Sequence, residues 1–126
     1  MSGLLLIAVG GALGSVARYL CVEWVQSRFP AGTGFPWGTL FVNVAGSFVI
    51  GLLAGLDLGP RGELSLLARQ FLMVGVLGGY TTFSSFSLQT LLLLRSDDVW
   101  LGVLNVLVSV ALGLFAAWAG MVLVAK

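Results

Sequence analysis

Histidine is absent from this 126-residue sequence, cysteine occurs once, and charged residues make up only 9% of the chain. With Cys21 alone, neither an internal disulfide nor a thiolate metal site can form. Six Lys and Arg stand against five Asp and Glu, and this net charge of +1 argues against a nucleic-acid-binding protein. The phosphate-loop signature Gly-Lys-Ser/Thr is also missing, so no nucleotide site is predicted.

Apolar residues dominate what remains. Hydrophobic residues make up 59% of the chain, with a mean hydropathy of +1.08, whereas soluble domains carry about 25% charged residues. Four apolar stretches are each long enough to cross ~30 Å of hydrocarbon. They run from about Leu4 to Val25, Trp37 to Leu56, Ala68 to Leu94 and Val99 to Val124. The sequence therefore predicts an all-α integral membrane protein whose residues 1–126 form a single four-helix transmembrane domain.

Charged residues are nearly excluded from the predicted spans. All five acidic residues lie at span ends or in connecting segments: Glu23, Asp57, Glu63, Asp97 and Asp98. A small proton-coupled exporter of cationic compounds would need a carboxylate in mid-membrane. The charged residue well inside a span is Arg18, which is either an anion attractor or an arginine whose head reaches the membrane surface near a helix end.

The basic residues are balanced across the membrane. Four spans place both termini on one side, so the count is three against two or three: Arg61, Arg69 and Lys126 against Arg28, Arg95 and, if it leans that way, Arg18. Orientation normally follows an excess of Lys and Arg on the cytoplasmic side. Two interpretations stay open: a single orientation settled by other factors, or a chain that inserts both ways and pairs antiparallel.

Small and polar residues recur at helical spacing in three spans. The stripes are Gly10, Gly14 and Arg18; Thr39, Asn43, Gly46 and Ser47; and Gly102, Asn105, Ser109 and Gly113. Close helix packing explains most of them. An amide in mid-membrane must find partners or face water, and the Asn43 NH₂ group can replace part of an anion's hydration. Four short helices enclose little space, so a conduit would form between copies, most simply in a two-fold dimer.

The segment Gly78-Gly79-Tyr80-Thr81-Thr82-Phe83-Ser84-Ser85-Phe86-Ser87 lies within the third stretch. Gly and Thr weaken a helix, so a break is predicted there, and unwound carbonyls at such a break can coordinate Na⁺. Phe83 and Phe86 share a face, and aromatic rings have positive edges that suit an anion path. Ser84 and Ser87 add hydroxyl donors on the neighbouring face. A helix kink with two packing phenylalanines is the alternative.

Three motifs resemble the Fluc/CrcB family of small fluoride channels. They are Gly10-Gly11-Ala12-Leu13-Gly14-Ser15-Val16-Ala17-Arg18-Tyr19, Gly38-Thr39-Leu40-Phe41-Val42-Asn43, and the Gly78 to Ser87 segment. The resemblance extends over essentially the whole chain. Two residues depart from it: Gln89 stands where the family often has Glu, and Ser85 replaces a second Thr.

The resemblance implies an antiparallel, dual-topology homodimer in the cell (plasma or inner) membrane, with two fluoride pores and a central structural Na⁺. Backbone oxygens of Gly78 and Thr81 would hold the Na⁺. The expected fluoride pathway comprises Asn43, Phe83, Phe86, Ser84, Ser87, Ser109 and Thr39. The expected partners are fluoride, a second copy of the chain and the lipid bilayer.

The expected activity is passive export of toxic fluoride from the cytoplasm of a microbe, with no reaction catalysed. A small dual-topology exporter of cationic compounds is the alternative, but the chain lacks the acid that it needs. A non-transporting membrane assembly is a third hypothesis, and it does not explain the clustered Gly-Gly-x-Thr-Thr-Phe motif.

Overall fold

The computed structural model describes residues 2–29, 32, 34–58, 62 and 64–124. Arg61 and Lys126, which enter the charge count above, lie outside the described residues. The four predicted spans are confirmed as long apolar helical segments: Ser2–Gln26, Trp37–Leu58, Leu66–Leu94 and Val99–Val124. Three of these segments are continuous α-helices: Ser2–Gln26 (α1), Trp37–Leu58 (α2) and Val99–Val124 (α6).

The third span, Leu66–Leu94, changes conformation four times. It begins as α3 (Leu66–Arg69), with the Ser65 hydroxyl accepting a hydrogen bond from the Ala68 N–H. It continues as a π-helix (Gln70–Leu77) and one further turn, α4 (Gly78–Tyr80). Thr81 and Thr82 are extended, and α5 (Phe83–Leu94) follows. The predicted break is therefore present at the two threonines. The π-helix, a rare form often found at functional sites, was not predicted.

The helices pack in two close pairs: α2 against α6, and α1 against the π-helix and α4. In the first pair a β-carbon on Gly51 would collide with the Ala117 carbonyl oxygen, and one on Gly120 with the Phe48 carbonyl oxygen. Backbones in membranes approach this closely where small residues replace side chains. The glycines of α2 and α6 therefore fix the distance between these two helices.

Gly120→Ala should lower the thermal stability of the protein, because the added methyl must push α6 away from α2. Overpacking of this kind costs about 1–3 kcal/mol. Gly113→Ala, on the same helix, is the matched control, because its nearest neighbour outside the helix would be the Ser47 Oγ at 3.7 Å. Alanine there gains helix propensity of up to about 1 kcal/mol. Thermal unfolding in detergent would measure both variants, and equal losses would contradict the packing argument.

The outer surface of the four-span unit is apolar. Large side chains such as Leu4, Leu13, Trp100 and Leu114 are more than half exposed. Among the described residues the buried apolar side chains are few: Val25, Phe35, Leu40, Val42, Leu77, Leu93 and Ala116. A soluble domain hides its large apolar side chains, so this surface suits contact with lipid or with other apolar protein surfaces.

Charged and aromatic groups lie at the ends of the spans. An Arg69 nitrogen (Nη2) is 2.6 Å from Asp57 Oδ1, which ties the end of α2 to the start of the third span. At the end of α1 the Arg28 guanidinium lies 4.5 Å from the centre of the Trp24 ring. Interfacial Trp and cation–π pairs of this kind stabilise helix ends at a membrane surface.

Candidate functional site at the break in the third span

A cavity of about 420 Å³ lies beside the break. Its walls come from α2, the π-helix, α4, α5 and α6, so every span except the first contributes. The lining residues are Asn43, Gly46, Ser47, Ile50, Met73, Leu77, Gly78, Thr81, Thr82, Phe83, Phe86, Ser109 and Val110. Among the described residues that line it, none is acidic or basic, and the polar groups are amides, hydroxyls and backbone. The cavity therefore offers neutral hydrogen-bonding groups on an apolar wall.

The Asn43 side chain holds the break open. Its Nδ2 donates to the Thr82 carbonyl at 3.0 Å, and its Oδ1 accepts from the Thr82 N–H at 2.8 Å. In a continuous α-helix that N–H would bond to the carbonyl four residues earlier, at Gly78. The side chain of α2 thus replaces one helical hydrogen bond and frees the Gly78 carbonyl. The second N–H of Nδ2 remains free to donate to another group.

Thr82 also starts the helix that follows. It has extended dihedral angles, and its Oγ1 accepts a hydrogen bond from the Ser85 N–H at 3.1 Å, as an N-cap residue does. The Ser84 and Ser85 hydroxyls lie 3.3 and 3.1 Å from the same oxygen. Before the break, the Thr81 hydroxyl donates to the Leu77 carbonyl at 2.9 Å. Thr82 therefore satisfies an N–H group that the break exposes at the start of α5, whereas the Leu77 carbonyl keeps its helical bond from the Thr81 N–H at 3.0 Å.

The two phenylalanines stand together at one wall of the cavity. Their ring centres are 5.7 Å apart, and the planes are tilted by 42°. Phe86 is half-buried, whereas Phe83 is 79% exposed in one chain. Tilted rings direct some of their positive edges toward the same space, so this wall can stabilise a negative charge without a formal cation.

Of the other predicted pathway residues, one lines the cavity and three lie outside its lining. Ser109 lines the cavity, and its hydroxyl donates to the Asn105 Oδ1 at 3.4 Å. Ser84 and Ser87 do not line it: Ser84 contacts Thr82, and the exposed Ser87 donates to the Phe83 carbonyl at 2.9 Å. Thr39 is buried on α2, one turn before Asn43, and is also outside the lining.

Arg18 points at the break. Its Nη1 donates to the Thr81 carbonyl at 3.3 Å across 63 residues of sequence, and the side chain is half-buried. The guanidinium therefore brings a positive charge to the unwound residues. Sequence reasoning did not assign seven of the lining residues to a site: Gly46, Ser47, Ile50, Met73, Leu77, Thr82 and Val110. The signal for Thr82 was its position just before the predicted helix with Phe83 and Phe86, since threonine is a preferred N-cap residue.

Comparison with known proteins gives one consistent result. The family model described as "CrcB-like protein, Camphor Resistance (CrcB)" matches residues 5–121. A protein of Rhizobium meliloti (strain 1021) is 50% identical over 123 residues, which cover 98% of this chain and 96% of that protein. A protein of Thermus thermophilus is 54% identical over 116 residues, covering 92% and 88%. A third, from Opitutus terrae, is 53% identical over 122 residues, covering 95% and 90%. All three are named fluoride-specific ion channel FluC.

Proposed function

This chain belongs to the CrcB-like family, a family of ion channels rather than enzymes, and we propose that it conducts fluoride passively across the cell membrane. Flow out of the cytoplasm would lower fluoride toxicity. The observation that carries the proposal is the cavity at the break. It gathers an amide, hydroxyls and two phenylalanine rings in one place, and no described residue of its lining is acidic.

The lining suggests how fluoride would pass. The free N–H of Asn43 and the hydroxyls of Ser47 and Ser109 replace part of the ion's hydration, and the ring edges of Phe83 and Phe86 stabilise the remaining charge. Each of these groups is neutral and binds the ion weakly, which conduction requires. We further propose Thr39, Ser84 and Ser87 as parts of the path outside this cavity.

A second copy of the chain would complete the pathway. Phe83 lines the cavity and is nevertheless 79% exposed, so a wall is missing in one chain. An antiparallel partner would supply that wall, and the balanced distribution of basic residues supports insertion in both orientations. Because each chain contributes one such cavity, the dimer would have two pores. The plasma or inner membrane is the proposed location.

The break also suits the proposed structural Na⁺. The Gly78 carbonyl has lost its helical partner to Asn43, and the Thr81 carbonyl accepts one long bond from Arg18 at 3.3 Å. Unwound carbonyls are the groups that coordinate Na⁺ in membrane proteins. Two oxygens from each of two copies would hold the ion at the dimer centre, where it would join the two breaks electrostatically.

Removing Na⁺ should therefore weaken the dimer. An ion present at 100 times its Kd stabilises the state that binds it by about 2.7 kcal/mol. We expect protein purified in N-methyl-D-glucamine chloride to unfold several degrees lower than protein in sodium chloride, with potassium chloride as the control for ionic strength. Equal thermal midpoints and equal dimer fractions in all three salts would contradict a structural Na⁺.

The proposed function is tested by ion efflux from liposomes that contain the purified protein. Fluoride and chloride electrodes would record efflux from matched vesicles without a pH gradient. We expect fast fluoride efflux and negligible chloride efflux. Transport that appears only with a pH gradient would instead favour an exporter of cationic compounds. A well-folded oligomer that passes no ions would favour a membrane assembly without transport activity.

A further inference from the structure

Asn105 is the most buried polar side chain in the described part of the chain, with 1% of its surface exposed. It lies on α6 behind the cavity wall. Its Nδ2 donates to the Thr90 Oγ1 of α5 at 2.8 Å, and its Oδ1 accepts from the Ser109 hydroxyl at 3.4 Å. Ser109 lines the cavity, and Thr90 lies one helical turn after Phe86, which lines it too. The buried amide therefore connects two walls of the proposed pathway.

The direction of these bonds decides what Ser109 presents to an ion. The Thr90 hydroxyl oxygen accepts a hydrogen bond from the Asn105 NH₂ group at 2.8 Å. The amide oxygen therefore faces Ser109 and accepts the one hydrogen bond that this hydroxyl can donate. The Ser109 oxygen then presents its lone pairs to the cavity, whereas an anion needs a hydrogen-bond donor there. The Ser109 bond is at the long limit for a hydrogen bond, so an ion can displace it.

We propose that Asn105 is a positioning residue that controls the Ser109 proton, an inference that rests on the proposed function. When fluoride arrives at Ser109, the hydroxyl turns its hydrogen bond from the amide oxygen to the ion. The bond to the amide oxygen forms again when the ion moves on. A resident acceptor that competes for the donor keeps fluoride binding weak. Weak binding allows the ion to leave, which a conducting site needs. Thr90 fixes which end of the amide faces Ser109.

Thr90→Val tests this mechanism because we expect the substitution to strengthen fluoride binding rather than weaken it. Without the threonine oxygen, the amide rotates and donates its Nδ2 to Ser109, and the Ser109 proton turns permanently toward the cavity. Fluoride then binds more tightly and leaves more slowly. A hydrogen bond to a charged group changes affinity by roughly tenfold. We expect a half-saturating fluoride concentration about fivefold or more below wild type, together with a lower maximal rate.

The measurement is the initial rate of fluoride efflux at a series of internal fluoride concentrations, with dimer elution and thermal midpoint recorded for every variant. Thr90→Ser keeps the hydroxyl and should restore the wild-type half-saturating concentration. In a Ser109→Ala background, Thr90→Val should have no further effect on that concentration. If Thr90→Val does not fold, Thr90→Ala removes the same oxygen without adding a methyl group.

Several results would overturn the inference. One is a Thr90→Val or Thr90→Ala channel whose rate falls while its half-saturating concentration is unchanged or raised, because the network would then only pack α5 against α6. Another is an effect that persists without the Ser109 hydroxyl, or a Thr90→Ser variant that behaves like Thr90→Val. A wild-type protein that passes no fluoride would overturn the proposed function and this inference together, whereas normal wild-type efflux with any of the other results overturns this inference alone.

Discussion

Asn43→Ala should reduce fluoride efflux to about 1% of the wild-type rate or less, the largest effect that we expect of a single substitution. The variant loses both hydrogen bonds to the Thr82 peptide, at 2.8 and 3.0 Å. An unsatisfied buried backbone group costs about 1–3 kcal/mol, so the extended conformation at the break becomes unfavourable. The variant also loses the free N–H that would contact fluoride. Liposome efflux and the thermal midpoint would be measured on the same preparation.

Thr82→Ala is the matched control for Asn43→Ala. It keeps the Thr82 peptide, and hence both bonds to Asn43, but removes the oxygen that caps α5 at the Ser85 N–H. Loss of an N-cap costs about 1 kcal/mol, so we expect efflux to fall by less than tenfold while the thermal midpoint still drops. A folded Asn43→Ala variant with wild-type efflux would show that the amide only packs. Equal efflux losses in the two variants would assign the effect to destabilisation of the break.

The positions of the spans and of the break follow from local sequence. Apolar runs of this length have few alternatives to a membrane helix, and Gly-Gly followed by Thr-Thr weakens a helix wherever it lies. The partner of the break could not be identified in the same way. Asn43 is 39 residues from Thr82, and its bonds depend on how α2 packs against the third span. The sequence indicated only that a mid-membrane amide needs partners.

Neither the π-helix nor the set of polar residues that line the cavity could be predicted from the sequence, for related reasons. A π-helix differs from an α-helix by one residue per hydrogen-bonded turn, which leaves no distinct pattern in the apolar run Gln70–Leu77. Helical spacing places Ser84 and Ser87 on one face, but it does not say whether that face meets the cavity. Their hydroxyls instead contact Thr82 and the Phe83 backbone. Only the packing of the helices decides which polar side chains line the cavity and which lie beside it.

Phe86→Ile and Phe83→Ile should each lower fluoride efflux about tenfold or more, because isoleucine keeps an apolar surface but has no positive ring edge. The fold should tolerate the changes. Phe83 is 79% exposed in one chain, so its ring contributes little to the stability of that chain. Phe86 is half-buried, and its exchange for a smaller apolar residue should cost about 1 kcal/mol. Efflux would be compared at equal amounts of protein in the liposomes.

Phe115→Ile is the matched control, because Phe115 forms a similar aromatic pair away from the cavity. Its ring centre is 5.8 Å from that of Trp118, with a tilt of 39°, close to the geometry of the Phe83 and Phe86 rings. Phe115 is also largely exposed. A general effect of removing an aromatic side chain would slow fluoride efflux equally in all three variants. If ring edges stabilise the ion, only the two cavity variants lose efflux, and the double variant loses less than the product of the two because the rings contact each other. Unchanged efflux in both single variants would remove the phenylalanines from the pathway and leave the ion to the amide and the hydroxyls.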